Sequence, residues 1–149
     1  MAAPSALETL IDLAHRETDD AAKHLGAALR AGEEASQKLD LLKQYRDDYN
    51  TRCQASLAQG ISATHFMNFQ AFMQKLDCAI AGQQNVVDDT RHRIADARTA
   101  WQRCERKKMS FVTLADRADQ AAARHELRRE QKQNDEFAAR RTLYKPNPS

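Results

Sequence analysis

Apolar residues recur along this chain in alternating steps of four and three. A first line runs through Leu7, Ile11, Ala14, Thr18, Ala21, Leu25, Ala28, Gly32, Ala35, Leu39, Leu42, Arg46, Tyr49 and Cys53. A second runs through Phe69, Met73, Leu76, Ile80, Gln83, Val87, Thr90, Ile94, Ala97, Trp101, Cys104, Lys108, Phe111, Ala115, Ala118 and Ala122. A repeat averaging 3.5 residues is the seam of a coiled coil. Between the two lines, Gln59-Gly60-Ile61-Ser62 supplies a breaker, and Ser62 or Thr64 can cap the helix that follows. Two helices joined by a short turn pack antiparallel. The pattern therefore predicts an all-α fold: two long helices forming an antiparallel coiled-coil hairpin, the second longer than the first. Helix 1 is expected over about 5–57, the turn over about 58–63, and helix 2 over about 64–141, with an overhang after about 122 and a disordered tail over 142–149.

Folding the chain at Ile61 sets seam residues face to face when their numbers sum to about 122. Sizes then match, with Ala21 opposite Trp101, Ala28 opposite Ile94, Ala35 opposite Val87, Leu25 opposite Ala97 and Ile11 opposite Phe111. Small against large keeps two helices at a constant separation. Lys43 is expected to meet Asp77 along one edge. At ~1.5 Å per residue the paired part is on the order of 80 Å long and the second helix about 115 Å.

Composition supports helix throughout. No proline occurs between Pro4 and Pro146, and only 6% of the chain is aromatic against 30% charged. Each interior proline would cost a helix about 3 kcal/mol. The net charge of +2 is too small to make nucleic acid the expected partner. Its distribution is uneven: residues 1–20 carry five acids against Arg16, and 124–145 carries seven bases against four acids. No apolar run approaches a membrane span, and residues 1–10 lack the pattern of a signal peptide, so the chain is expected in the cytoplasm.

Little in the sequence suggests reaction chemistry. There is no phosphate-binding GxxxxGK[ST] loop and no HExxH. The pairs Asp19-Asp20, Asp47-Asp48 and Asp88-Asp89 point about 100° apart on a helix and do not converge on one ligand. Cys53, Cys78 and Cys104 lack metal-ligand spacing and are expected to be reduced thiols. No catalytic residue, metal, cofactor or small-molecule substrate is expected.

Partner binding has stronger support. Near the turn, one edge of the hairpin holds Ser36, Lys43, Asn50, Gln70, Asp77 and Gln84, and is expected to be wholly polar. The other carries Tyr45, Phe72, Ala79 and Val86 beside the seam residues Leu42, Tyr49 and Leu76. Like flanking positions meet on one side of an antiparallel pair. Tyr45, Phe72 and Ala79 are therefore expected to form one exposed strip, the kind of surface that binds a partner. A slight change of register would instead fold Tyr45 and Phe72 into a broader core.

Several blocks resemble the FliJ family, small coiled-coil proteins of the bacterial flagellar type III export apparatus. They are Ala6-Leu-Glu-Thr-Leu-Ile-Asp-Leu-Ala14 with Asp19-Asp20-Ala21-Ala22, and Leu42-Lys-Gln-Tyr-Arg-Asp-Asp-Tyr49. After the turn come Asn68-Phe-Gln-Ala-Phe-Met-Gln-Lys-Leu76 with Ala79-Ile80, then Trp101, Gln131-Lys132 and Asp135-Glu-Phe-Ala138. The resemblance implies a non-enzymatic component at the cytoplasmic face of the inner membrane, touching the membrane only through the export complex. It implies three partners: the hexameric export ATPase, the cytoplasmic linker of the export gate, and export chaperones that the protein escorts or recycles. By this resemblance Leu42, Tyr45, Tyr49, Phe72, Leu76 and Ala79 form the gate-binding face. The terminal end would enter the ATPase, with Arg124, Arg128, Arg129, Lys132, Arg140 and Arg141 as contacts. The alternative is a generic helical adaptor or oligomerising coiled coil. Nucleic-acid binding by the same basic residues is disfavoured by the interspersed acids and the lack of aromatics.

Overall fold

A computed structural model describes residues 5–144. It contains α1, Ala6–Gln59 (54 residues), and α2, Ala63–Leu143 (81 residues). Both run slightly past the bounds expected from sequence. Thr142 and Leu143, expected in the tail, are still helical, and residues 145–149 lie outside the described residues.

Local chemistry fixes the helix ends. The Ser5 hydroxyl accepts from the Glu8 amide at 3.2 Å while the Glu8 carboxylate accepts from the Ser5 amide at 3.2 Å. This reciprocal capping box satisfies two donors that the start of α1 would otherwise leave open. α1 ends at Gly60, whose φ of +82° is the left-handed conformation that side chains with a Cβ resist. Its amide donates to the Leu57 carbonyl at 3.2 Å. The Ser62 hydroxyl then accepts from the His65 amide at 3.2 Å and caps α2.

The two helices pack through the expected seam. Every seam position from Leu7 to Cys53 on α1, and from Phe69 to Ala115 on α2, is buried or half-buried. The chain divides into two compact units, one from Glu17 to Cys104 and one joining the residues up to Arg16 with those from Glu105 onward.

In the unit Glu17–Cys104, rising numbers on α1 meet falling numbers on α2. A Cβ at Gly32 would lie 2.8 Å from Ile94 Cδ1 and 3.7 Å from the Thr90 hydroxyl. Gln83 Nε2 donates to the Ala35 carbonyl at 2.9 Å, and further along the Tyr49 ring packs on Phe69 and Phe72. The pairing is therefore antiparallel at the expected register. The core here is Ala35, Leu39 and Val87, with Ile80 against it. Thr90 is buried as well, and its hydroxyl donates to the Val87 carbonyl at 2.7 Å, which satisfies it without a partner on α1.

One edge contact differs from expectation. Asp77 pairs with Arg46 at 3.5 Å rather than with Lys43. Arg46 occupies a seam position, where an apolar side chain would end at the interface. Its longer chain reaches out along α2 and takes the carboxylate, keeping the stem on the seam and the charge in water.

In the other unit Ala14 is buried, with Leu7, Ile11, Phe111 and Ala115 half-buried. Lys108, a charged seam residue, pairs with Glu105 at 3.1 Å one turn back. Burial stops earlier than expected. Ala118 and Ala122 are exposed, as is every residue from Asp116 to Tyr144. Pro4, the expected partner of Ala118, lies outside the described residues.

Candidate partner-binding surface

Tyr49 organises the surface near the turn. As a seam residue it is half-buried, and its ring centroid lies 4.5 Å from that of Phe72 and 5.2 Å from that of Phe69, both tilted. Tilted pairs at these distances are favoured by the ring quadrupoles. The stacking holds Phe72 at the edge of the pair, 45% exposed, and Tyr45, one turn before Tyr49, is 54% exposed. These two therefore stay out of the core and belong to the surface.

A shallow groove runs between them, lined by Tyr45, Asp48, Tyr49, Arg52, Phe72 and Leu76. Four of the six residues expected on the gate-binding face thus share one groove. Leu42, half-buried, and Ala79, exposed, do not line it. Asp48 and Arg52 are additions that the sequence reading missed. The spacing Tyr45, Asp48, Tyr49, Arg52 is the i, i+3, i+4, i+7 of one helical face, and that was the available signal.

The opposite edge is not wholly polar. Beside Asn50, Gln70 and Asp77, a second shallow groove exposes Leu57, Phe66, Phe69 and Met73. Two helices alone cannot enclose seam residues as large as Phe69 and Met73, so parts of both show on this edge.

The six basic residues Arg124, Arg128, Arg129, Lys132, Arg140 and Arg141 are all exposed on α2. They do not make one patch. Arg124, Arg128 and Lys132, four residues apart, share a face, and the other three point elsewhere. Arg124 Nε donates to the Gln120 carbonyl at 3.4 Å.

Among the described residues no three of His, Cys, Asp or Glu gather to hold a metal ion, and no helix is long and apolar enough to cross a membrane. Cys53 and Cys104 are half-buried and Cys78 is exposed, all as free thiols.

Two long helices packed antiparallel place the chain in the class of all-α coiled-coil hairpins. Comparison with known proteins makes this specific. The family model described as "Flagellar FliJ protein" matches residues 4–146, and the chain belongs to that family. The flagellar FliJ protein of Salmonella typhi is 35% identical over 146 residues, covering 98% of this chain and 99% of its own. That of Escherichia coli strain K12 is 33% identical over the same length and shares of both chains. Among solved structures, CT670 of Chlamydia trachomatis, described as a candidate YscO homologue, aligns over 95% of this chain and 96% of its own at 16% identity, with a TM-score of 0.44.

Proposed function

We propose that this chain couples the hexameric flagellar export ATPase to the cytoplasmic linker of the export gate, and that it escorts or recycles export chaperones. Membership of the FliJ family makes it a flagellar export component. The finer assignment is supported by one observation above the others: Tyr45 and Phe72 remain exposed and share one groove with the half-buried Tyr49 and Leu76. Aromatic side chains at the centre of a groove with a charged rim, here Asp48 and Arg52, are the usual anchors of a protein interface. On this reading Leu42, Tyr45, Tyr49, Phe72, Leu76 and Ala79 contact the gate. The exposed end of α2 engages the ATPase, and the protein acts mechanically and allosterically, with no chemistry of its own. It sits at the cytoplasmic face of the inner membrane because its partners are there.

Binding to the purified cytoplasmic region of the gate tests this. Tyr45→Ala and Phe72→Ala should each weaken it by more than about 1 kcal/mol with helicity retained. Ser36→Ala and Gln84→Ala, on the other edge, should leave it near wild type. Normal gate binding by both aromatic variants would remove the groove from the interface.

A further inference from the structure

The edge opposite the Tyr45 and Phe72 groove has an unusual composition near the turn. In a chain that is 30% charged, the second groove exposes Leu57, Phe66, Phe69 and Met73 and is otherwise lined by Cys53, side-chain amides and one charged group, Asp77. Leu57 is 45% exposed and Phe66 37%. Apolar surface of this kind is stabilised by cover. The amides bear on what covers it. Each carries donors and an acceptor, so a row of amides complements a copy of itself, which a row of like charges does not.

The positions on this edge are complementary in the same way. Ser36, Lys43, Asn50 and Leu57 stand seven residues apart and form one line on α1, and Gln70, Asp77 and Gln84 form another on α2. A two-fold axis parallel to the helices sets α1 of one copy against α2 of the other, running in opposite directions at the same height. Heights are those of the pairing within the chain, in which Gly32 lies beside Thr90 and Tyr49 beside Phe72. Asn50 then stands level with Gln70 of the second copy, Ser36 with its Gln84 and Lys43 with its Asp77. The last pair is left open in the single chain. Lys43 is exposed and makes no ion pair among the described residues. Arg46 reaches Asp77 at one oxygen, 3.5 Å away, and the Asp77 side chain stays 58% exposed. Each copy therefore offers the other an unpaired ammonium and a carboxylate oxygen still open to water.

The size of the face is sufficient. Residues 36–57 span about 30 Å of helix and two helices side by side are about 20 Å wide, so the face covers roughly 600 Å² of each copy. Two such faces come to about 1,200 Å², the lower limit for a specific interface. We propose that this edge docks a second copy of the chain, giving a parallel two-fold dimer in which α1 of each copy lies against α2 of the other near the turn. A contact at the lower size limit makes the dimer reversible. The Tyr45 and Phe72 groove and the exposed end of α2 stay outside it, so the dimer does not depend on the function proposed above.

Sedimentation of the full-length chain between about 1 and about 100 μM tests this, and the wild type should pass from monomer to dimer. A monomer throughout would overturn the proposal. K43D sets Asp against Asp77 of the second copy, D77K sets Lys against its Lys43, and each alone should raise the dissociation constant about tenfold or more. Mixing the two variants restores both contacts in the mixed dimer, which should form within about threefold of the wild-type constant. Arg46 faces Asp77 in the single chain, so circular dichroism checks that D77K folds. K43D has no ion pair within the chain to lose, and its normal self-association would overturn the proposal whatever D77K does. Tyr45→Ala, on the other edge, should dimerise like wild type; loss of the dimer there would move the contact to the other groove and overturn the assignment. Orientation is read by a short thiol crosslinker in chains carrying C53S, C78S and C104S. N50C mixed with Q70C should give the mixed crosslink, whereas N50C joined mainly to itself would put α1 on α1 and overturn the parallel arrangement.

Discussion

Gly32 shows how closely a single residue is tied to the partner helix. An added Cβ would meet Ile94 Cδ1 at 2.8 Å, which is too close. That atom is the free end of a flexible side chain, so it can rotate away. Replacing glycine inside a helix also recovers about 0.5–1 kcal/mol of backbone entropy. The two effects oppose, and Gly32→Ala should be near neutral, while Gly32→Leu should cost about 1–3 kcal/mol through overpacking. Gly26 and Gly82 have nothing within 4 Å of an added Cβ. Alanine there should raise stability by about 0.5–1 kcal/mol each. Gly60, at a φ of +82°, should lose stability on the same change. Thermal melts of the four alanine variants check the ordering; stabilisation at Gly60 would mean that the turn does not hold its left-handed conformation.

At the scale of the helices, the seam was legible because the heptad repeat reports burial directly, and polar members such as Thr18, Gln83 and Thr90 kept their places in it. The edges were less legible. Whether Lys43 or Arg46 takes Asp77 depends on side-chain reach, which spacing does not encode, and the spacing that puts Asp48 and Arg52 on the face of Tyr45 and Tyr49 does not say that they rim a groove with Phe72. The capping box is present in the sequence as Ser5 three residues before Glu8, at polar positions that the heptad repeat does not report. Alanine misled at the far end. Ala118 and Ala122 continue the spacing without enough apolar area to show whether anything covers them. Two predictions belong here. Ser62→Ala removes the cap of α2 and should cost about 1 kcal/mol, a shift of a few degrees in melting temperature. Ala21→Leu should strain the seam by about 1–3 kcal/mol and change the emission of Trp101, the only tryptophan. Unchanged stability and emission would place Ala21 away from Trp101.

Across the whole molecule stability should be uneven, because burial is. No large side chain is fully enclosed anywhere among the described residues, and the apolar core reduces to Ala14, Ala35, Leu39 and Val87. Amides beside Ala35 and Val87 should therefore exchange hydrogen slowly. From Asp116 to Tyr144 no side chain is buried, and a polar helix with no packed face is marginal in water. Like charges four residues apart lower its stability further, by roughly 0.2–0.5 kcal/mol for each pair. Amides from 116 to 143 should accordingly exchange fast in the free protein. The cause can be isolated with salt. Screening weakens repulsion between exposed charges, so going from ~0.01 M to ~0.15 M salt, where the Debye length falls from about 30 Å to about 8 Å, should slow exchange between 116 and 132 and leave 32–39 and 87–90 almost unchanged. Exchange between 133 and 143, where no like charges stand three or four residues apart, should respond less. A uniform response along α2 would mean that salt acts on the helix generally and that the like charges between 116 and 132 carry no measurable repulsion. Slow exchange from 116 to 143 at every salt concentration would mean that this segment is held by contacts that its exposure does not reveal.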